Sequence, residues 1–288
     1  MRSLGFLWQN PSRTLVCGFA LVIALGTLLL LIPVATTPGQ DTDFLTALFT
    51  ATSATCVTGL VVVDTATHWS WFGQLIIACL IQVGGLGIMT MSTLFALVIG
   101  RRITLRERFV MQEALGQLTT AGIVRLVKLV LLATLVFEGT GFALLTWRWA
   151  HDYPMARAVA LAAFHSVSAF NNAGFDLFSV SLVPFVEDAW VTLVVAALII
   201  AGGLGFVTIS ELWPWGRRLF GNRRNGAGGR RRTLHTFMVL RVTAFLILAG
   251  MVFILALEWD NPATLGPLSL KGKLLAAFFQ SVTPRTAG

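Results

Sequence analysis

Three stretches of this chain each contain a phenylalanine followed, ten positions later, by a glycine, with small and polar residues between. The stretches are residues 49–60, 164–175 and 278–288, and their glycines are Gly59, Gly174 and Gly288, which lie 115 and 114 residues apart. Backbone carbonyl oxygens of such a ribbon can replace the hydration shell of a monovalent cation without carrying net charge. Glycine permits the dihedral angles that direct successive carbonyls to one side. The pattern predicts three pore loops that conduct a cation.

A short apolar segment precedes each of these loops, within residues 41–60, 155–175 and 268–288. Each apolar run has about 10–14 residues, which is too short to cross a bilayer but suits a re-entrant helix. The carboxyl end of a helix carries partial negative charge and would face the loop, where it favours a cation. The competing interpretation, ordinary glycine-containing turns, does not account for three matching copies.

The composition places most of the chain in lipid. Of the 288 residues, 56% are hydrophobic and only 12% are charged, whereas a soluble domain has about 25% charged residues. Five stretches are long and apolar enough for membrane-spanning helices: residues 14–35, 69–99, 123–147, 189–213 and 235–257. We therefore predict an all-α polytopic membrane protein.

The second spans of the first two units share the sequence Gly-Gly-Leu-Gly, at residues 84–87 and 202–205. This agreement with the loop spacing indicates an internal duplication, and close helix packing would explain the glycines. The predicted organisation comprises a first helix–pore-loop–helix unit at 1–100, a cytoplasmic connection at 101–122, a second unit at 123–213, a basic cytoplasmic loop at 214–234, and an incomplete third unit at 235–288.

The net charge of +8 reflects topology. Most Lys and Arg residues lie in segments on one side of the predicted spans, and most Asp and Glu residues lie on the other. Because basic loops stay in the cytoplasm, we expect a multi-pass cell-membrane protein with a cytoplasmic N-terminus, external pore loops and no nucleic-acid partner. The three cysteines, Cys17, Cys56 and Cys79, are scattered and are expected to be small packing residues without a disulfide or metal site.

The two cytoplasmic connections differ in character. Thr104 and Glu107 fit a capping box that would start a surface helix extending to about residue 118. Residues 216–232 are rich in Gly and Arg; they are either a positively charged topological anchor or a docking surface for a cytosolic partner.

Taken together, these motifs resemble the Trk/Ktr/HKT superfamily of potassium transporters. The resemblance rests on Thr-Gly-Leu at 58–60, Ser-Ala-Phe-Asn-Asn-Ala-Gly-Phe at 168–175, Ser-Val-Thr-Pro-Arg-Thr-Ala-Gly at 281–288, both Gly-Gly-Leu-Gly motifs and Leu-Arg-Glu-Arg at 105–108. It implies four fused channel-like units and transport of K⁺ without a cofactor. The filter carbonyls it implies belong to Val57, Thr58, Gly59, Asn172, Ala173, Gly174, Thr286, Ala287 and Gly288, with Leu60 and Phe175 at the outermost position.

The resemblance also has implications for ion choice and assembly. A serine at the first filter glycine is associated with sodium selectivity in this family, so Gly59 implies the potassium-permeable type. The early first unit is similar to the Ktr type, which implies a homodimer in the bilayer bound to a cytosolic nucleotide-binding regulatory subunit. Since four loops close the ring and three are present, we expect a fragment or truncated form with about two and a half units.

Two other functions remain open from the residues. One is a non-conducting truncated subunit or scaffold that docks a cytosolic regulator; the other is a secondary transporter with broken helices. No catalytic or nucleotide-binding motif indicates an enzyme.

Four ionisable residues stand apart from these motifs. Glu138 lies within a span and has either a pairing role in the helix bundle or a role in the ion path. His165 is expected to be packed or hydrogen-bonded, with a pH sensor as the alternative. Arg285 is expected to brace the third loop, and Glu211 to meet Arg217 or Arg218.

Overall fold

The computed structural model describes residues 11–87, 123–212 and 234–285. Ten α-helices lie in these ranges, and the β-structure there is limited to one isolated bridge between Thr36 and Trp69. The helices are α1 Pro11–Leu30, α2 Phe44–Thr55, α3 Thr65–His68, α4 Trp71–Leu86, α5 Ile123–Trp149, α6 Met155–Phe170, α7 Ala189–Gly203, α8 Phe206–Leu212, α9 Leu234–Glu258 and α10 Leu270–Val282. The predicted all-α class is confirmed.

The chain separates into two compact units, Met1–Leu132 and Ala133–Gly288. In the first unit the short helix α2 packs against both α1 and α4, which also contact each other. A 3₁₀ turn, Pro33–Ala35, follows α1, and its end is joined to the start of α4 because the Ser70 amide donates to the Ala35 carbonyl at 2.9 Å. Gly73 permits this approach, since a Cβ atom there would overlap that carbonyl oxygen.

In the second unit α6 packs against α7, α10 packs against α7 and α9, and α8 contacts α9. An aromatic cluster lies between α5 and the segment after α6. Trp149, fully buried, contacts His165, Phe178 and Phe185 with ring centroids 5.2, 5.5 and 5.8 Å apart. Such edge-on and tilted aromatic pairs contribute about 0.5–1.5 kcal/mol each beyond their buried area, so this cluster fixes the end of α5 against α6.

Polar residues begin several of these helices. Asp43, Asp188 and Ser269 occupy the N-cap positions of α2, α7 and α10, and their side chains accept hydrogen bonds from the backbone amides of the first turn. Each cap satisfies amide groups that have no partner within the helix. The starts of two short helices, α2 and α10, and of one span are therefore fixed by local sequence.

Two helical stretches of the described chain are long and apolar enough to cross a membrane, Val127–Trp149 and Leu234–Glu258. Their exposed side chains are largely apolar; α9 exposes Phe245, Leu248, Val252, Phe253 and Leu257. Shorter apolar helices are Leu15–Leu30, Phe44–Thr55, Trp71–Leu86 and Met155–Phe170. The predicted first span, 14–35, is helical only as far as Leu30, and residues 88–99 of the predicted second span lie outside the described residues.

The predicted span at 189–213 is not a single straight helix, although its two helices together are long and apolar enough to cross a membrane as one broken span. The stretch forms Ala189–Gly203 and Phe206–Leu212, bent by 104° relative to each other. Gly205, with a φ of +79°, explains the break because this left-handed conformation cannot continue an α-helix.

The prediction that the cysteines are packing residues is wrong. The side chains of Cys17, Cys56 and Cys79 are all exposed, and none forms a disulfide. Cys17 and Cys79 lie in the apolar helices α1 and α4, and Cys56 follows the end of α2, so a position in or beside an apolar stretch does not by itself indicate burial.

Candidate functional site: the pore loops

The first candidate loop is closed by hydrogen bonds back to its own helix. After α2 ends at Thr55, the Thr58 amide donates to the Ser53 carbonyl at 2.9 Å, and the Ser53 hydroxyl donates to the Leu60 carbonyl at 2.7 Å. Within this closed turn φ is +57° at Val57 and +73° at Gly59. The backbone is therefore left-handed at alternate residues.

The second candidate loop repeats this arrangement 115 residues later. The Ala173 amide donates to the Ser168 carbonyl at 2.8 Å, and the Ser168 hydroxyl donates to the Phe175 carbonyl at 2.5 Å. Here φ is +59° at Asn172 and +74° at Gly174. The two loops agree in both their hydrogen bonds and the alternation of their dihedral angles.

This alternation has a direct consequence for the peptide groups. In each loop a residue with negative φ lies between two residues with positive φ, and such an alternation can turn successive amides toward one side of the chain. A row of carbonyls on one side is the arrangement by which a backbone can replace the hydration shell of a cation. Each loop is therefore a candidate site for a monovalent cation.

Two serines that the sequence-based prediction missed close these loops. Ser53 and Ser168 each lie six residues before the loop glycine and bond the carbonyl one residue after it. A signal was available, because this serine recurs at the same offset in both copies. Their hydroxyls fix Leu60 and Phe175, the residues assigned by resemblance to the outermost position.

The Gly-Gly-Leu-Gly motifs support the loops from behind. A Cβ atom at Gly84 would overlap the carbonyl oxygen of Thr55, and one at Gly202 would overlap that of Phe170. Thr55 and Phe170 are the last residues of α2 and α6. In each motif the first glycine thus lets the second helix pack directly on the backbone where the loop begins.

The last glycine of each motif has a different role. Gly87 and Gly205 have φ values of +80° and +79°, and a Cβ atom at either position would meet nothing within 4 Å. These glycines end α4 and α7 rather than pack against a neighbour. The prediction that close packing explains the motif therefore accounts for its first glycine and not for its last.

The third copy is described only as far as Arg285. Helix α10 is followed by a 3₁₀ turn, Thr283–Arg285, and the predicted filter residues Thr286, Ala287 and Gly288 lie outside the described residues. Within α10 the Ser281 hydroxyl donates to the Ile247 carbonyl of α9 at 2.8 Å. Gly250 admits this contact because a Cβ atom there would overlap Ser281.

His165 is buried on α6, and both of its ring nitrogens are engaged. Nδ1 lies 2.7 Å from the Leu161 carbonyl, and Nε2 accepts from the Leu177 amide at 3.3 Å. Since a carbonyl can only accept and an amide N–H can only donate, the ring is the neutral tautomer with its proton on Nδ1. This is the packed, hydrogen-bonded histidine that the sequence predicted, and it fixes the segment after the second loop.

Glu138 contacts the second loop directly. Its Oε1 accepts a hydrogen bond from the Asn171 side-chain amide at 2.9 Å, so Glu138 has a pairing role, one of the two alternatives left open by the sequence. Arg217 and Arg218, which the sequence predicted as partners of Glu211, lie outside the described residues. The capping box at residues 104–107 and the basic loop as far as residue 233 also lie outside them.

On the predicted external side, Glu187 anchors the start of the third short helix. Its Oε1 accepts from the Ser269 amide at 3.0 Å, and hydrogen bonding with Ser269, with Lys271 nearby, lowers the pKa of this exposed carboxyl below its ordinary value. The carboxylate therefore stays ionised in mildly acidic surroundings. Within the described ranges no cluster of three or more His, Cys, Asp or Glu residues could hold a metal ion.

Comparison with known proteins decides the family. Residues 8–288 match the TrkH family, described as a cation transport protein. The chain belongs to the TrkH family. The resemblance to the Trk/Ktr/HKT superfamily is thereby confirmed, and with it a multi-pass membrane protein rather than a soluble one.

Among its relatives, this TrkH-family chain is 42% identical over 279 residues to Ktr system potassium uptake protein B of Bacillus subtilis, an alignment covering 97% of this chain and 60% of that protein. It is 43% identical over 277 residues to the protein of the same name from Vibrio alginolyticus (96% and 58% covered). It is 37% identical over 279 residues to potassium/sodium uptake protein NtpJ of Enterococcus hirae (97% and 59% covered). The chain spans about 60% of the length of these relatives.

Proposed function

We propose that this chain is part of a potassium-uptake protein whose selectivity filter is formed by backbone carbonyls of the repeated pore loops. The proposed ligands are the carbonyls of Val57, Thr58, Gly59, Asn172, Ala173, Gly174, Thr286, Ala287 and Gly288. The observation that carries the proposal is the matched left-handed conformation at the first and third of these residues in both described loops. The names of three relatives, all potassium or potassium/sodium uptake proteins, support K⁺ as the transported ion.

The electrostatics of the loops favour a cation over an anion. The loops follow the carboxyl ends of α2 and α6, where the helix dipole is negative, and their peptide carbonyls carry no net charge. A dehydrated monovalent cation can therefore bind without being held so tightly that it cannot leave.

Replacing Gly59 tests the filter assignment. In the natural full-length protein, expressed in a host lacking its own potassium uptake, Gly59→Ser should reduce the preference for K⁺ over Na⁺ about tenfold, or ~1.4 kcal/mol. The reason is that a side chain at a φ of +73° displaces the carbonyls on either side. The measurement is the ratio of initial uptake rates for the two ions.

Gly39→Ser is a matched control for this experiment. Gly39 also has a positive φ, +87°, and lies outside the loops with nothing near its Cβ position. The same substitution there introduces similar backbone strain and should leave the ratio unchanged. An unaltered K⁺/Na⁺ ratio in a correctly inserted Gly59→Ser protein would reject the filter assignment.

The proposed assembly is a homodimer in the cell membrane that binds a cytosolic nucleotide-binding regulatory subunit through the basic loop, residues 214–234. The words "Ktr system" in the names of relatives and the concentration of arginine in this loop support a separate partner. Replacing the loop arginines with glutamine should abolish co-purification of that subunit while the dimer persists on size exclusion with light scattering.

A second candidate, a secondary transporter with broken helices, is favoured by the 104° bend between α7 and α8. Such transporters place unwound backbone at the substrate site. The two candidates differ in flux: a filter of carbonyls conducts K⁺ down its gradient alone, whereas a coupled carrier needs a second ion in fixed ratio. Isotope flux into vesicles with and without Na⁺ and H⁺ gradients separates them.

A further inference from the structure

An ionisable residue in the middle of the apolar helix α5 is attached to the second pore loop. Glu138 lies within the membrane-length stretch Val127–Trp149, and its side chain is half-buried. Charged residues at such depth are rare in membrane helices and generally serve a function. Because the carboxylate is bonded to this loop, the loop is where such a function would act.

The Asn171 side chain is the link between Glu138 and the loop. Its amide nitrogen donates to Glu138 Oε1 at 2.9 Å and to the Val167 carbonyl at 2.9 Å, so both of its hydrogens are used. Asn171 is the C-cap residue of α6, and Asn172, the next residue, adopts the left-handed conformation. The carboxylate therefore holds the residue at which the helix turns into the loop.

Helix α5 is itself fixed at this level. One residue before Glu138, the ring of Phe137 stacks on that of Phe170 with centroids 5.6 Å apart and planes 16° apart. One turn later, Gly141 packs so closely on Leu198 of α7 that a Cβ atom would lie 2.5 Å from Leu198 Cδ1. Because contacts on both sides of Glu138 locate the helix, the carboxylate is a fixed point for Asn171.

The first repeat has no carboxylate and no amide at the corresponding positions. Gly26 packs on Leu80 in the first unit as Gly141 packs on Leu198 in the second. Corresponding residues of α1 and α5 are therefore 115 positions apart. The same spacing relates Glu138 to Ile23 and Asn171 to Cys56. The carboxylate–amide bridge therefore distinguishes the second loop from a first loop of the same backbone conformation.

We propose that Glu138 is a positioning residue for ion selection: through Asn171 it fixes the start of the second pore loop, and so the direction of the carbonyls of Asn172, Ala173 and Gly174. The proposal rests on the proposed filter function. The property of residue 138 that matters is that its side chain accepts a hydrogen bond. The charge of that residue is not required, and the effect is on the choice between ions rather than on the amount of folded protein.

The test uses the full-length protein and six variants, one of which combines the two alanine changes, each measured for KM and maximal rate with K⁺ and with Na⁺ and for its abundance in the membrane. Glu138→Ala and Asn171→Ala each remove one partner. Glu138→Gln retains an acceptor oxygen without charge. The double variant Glu138→Ile with Asn171→Cys installs the pair found in the first repeat, and so remains compatible with a folded loop. Thr140→Ala is the control, because its hydroxyl donates to the Val136 carbonyl one turn earlier in the same helix, at 2.6 Å.

The expected result is a fall of about five- to tenfold in the ratio of the KM for Na⁺ to the KM for K⁺ in Glu138→Ala, in Asn171→Ala and in the double variant. The two alanine changes combined should have no more effect than either alone, since they break one link. Glu138→Gln and Thr140→Ala should keep the wild-type ratio.

Two results overturn the proposal. One is an unchanged ratio of the KM for Na⁺ to the KM for K⁺ in the alanine variants and in the double variant, whatever their abundance. The other is a Glu138→Gln protein that is as unselective as Glu138→Ala, because the charge of Glu138 would then be the property that matters. Gly59→Ser separates this failure from failure of the filter itself. If Gly59→Ser relaxes selection and the Glu138 variants do not, only the positioning role is rejected, whereas an unaltered Gly59→Ser protein rejects the filter assignment.

Discussion

Val57 and Asn172 occupy the same position in their respective loops, with φ values of +57° and +59°. Asparagine adopts the left-handed conformation readily, whereas a β-branched residue there is a genuine outlier. Such strain, of order 1–3 kcal/mol, persists only where the surroundings impose it, and it concentrates at binding sites and ligand clamps. In the first loop, the hydrogen bonds of Ser53 with Thr58 and Leu60 impose this strained conformation.

Relieving this strain should stabilise the protein. Val57→Asn puts in the first loop the residue that the second loop has at this position, and we expect a gain of ~1 kcal/mol because the left-handed backbone is retained without the β-branched clash. The measurement is the thermal midpoint of the detergent-solubilised protein by fluorescence-detected size exclusion. Asn172→Val is the reciprocal control and should lower the midpoint. A lower midpoint in Val57→Asn would show that Val57 makes packing contacts that outweigh its backbone strain.

At the scale of helices, the loops depend on direct contact between backbone atoms. The second helix of each repeat packs through Gly84 or Gly202 on the carbonyl at the end of the short helix. Packing this close leaves no volume for a methyl group, and overfilling a well-packed interior costs about 1–3 kcal/mol. The contact holds the end of the short helix and thereby the beginning of the loop.

Two glycine-to-alanine variants separate this packing from helix propensity. Gly202→Ala should destabilise the protein by about 1–3 kcal/mol and reduce ion uptake, because the added methyl overlaps the Phe170 carbonyl. Gly139→Ala changes a helical glycine with nothing within 4 Å of its Cβ position and should be neutral or stabilising by up to ~1 kcal/mol. Thermal midpoint and membrane abundance are the measurements. Equal effects of the two variants would contradict the packing role.

Much of the helical structure was predictable from the sequence, because the signals for helices are local. A short helix lies in each of the three predicted stretches, at Phe44–Thr55, Met155–Phe170 and Leu270–Val282, although the second is longer than the apolar run suggested. The bend at Gly205 was not predicted, since glycine within an apolar run can equally serve packing. The Glu138–Asn171 bond could not be predicted either, because it joins residues 33 positions apart and no pattern in a single sequence pairs them.

At the scale of the whole molecule, the distribution of charge along the sequence predicts the orientation in the membrane. The basic segments, among them residues 101–108 and 217–232, should remain cytoplasmic. The acidic residues that cap and anchor the short helices, such as Asp43 and Glu187, should then face outward. That orientation would raise the local concentration of cations at the mouth of the pore loops.

Cysteine labelling of intact cells tests this orientation. In a background with Cys17, Cys56 and Cys79 replaced by alanine, a cysteine at Asp152, half-exposed beside Arg148, should react with a membrane-impermeant maleimide added outside. A cysteine at Arg106 should react only after the cells are permeabilised. The reverse pattern would invert the predicted topology, and labelling of both positions from outside would contradict a single orientation.

The bond between Glu187 and the Ser269 amide also bears on how the protein is made. Residues of the nascent chain leave the ribosome in order, and domains generally fold from the N-terminal end. Glu187 is synthesised 82 residues before Ser269, so we expect its carboxylate to be in place when α10 emerges. This helix is too short to span the bilayer, and its first turn would then bond to a carboxylate that is already present. We therefore expect the second repeat to position the start of α10 as the third short helix inserts.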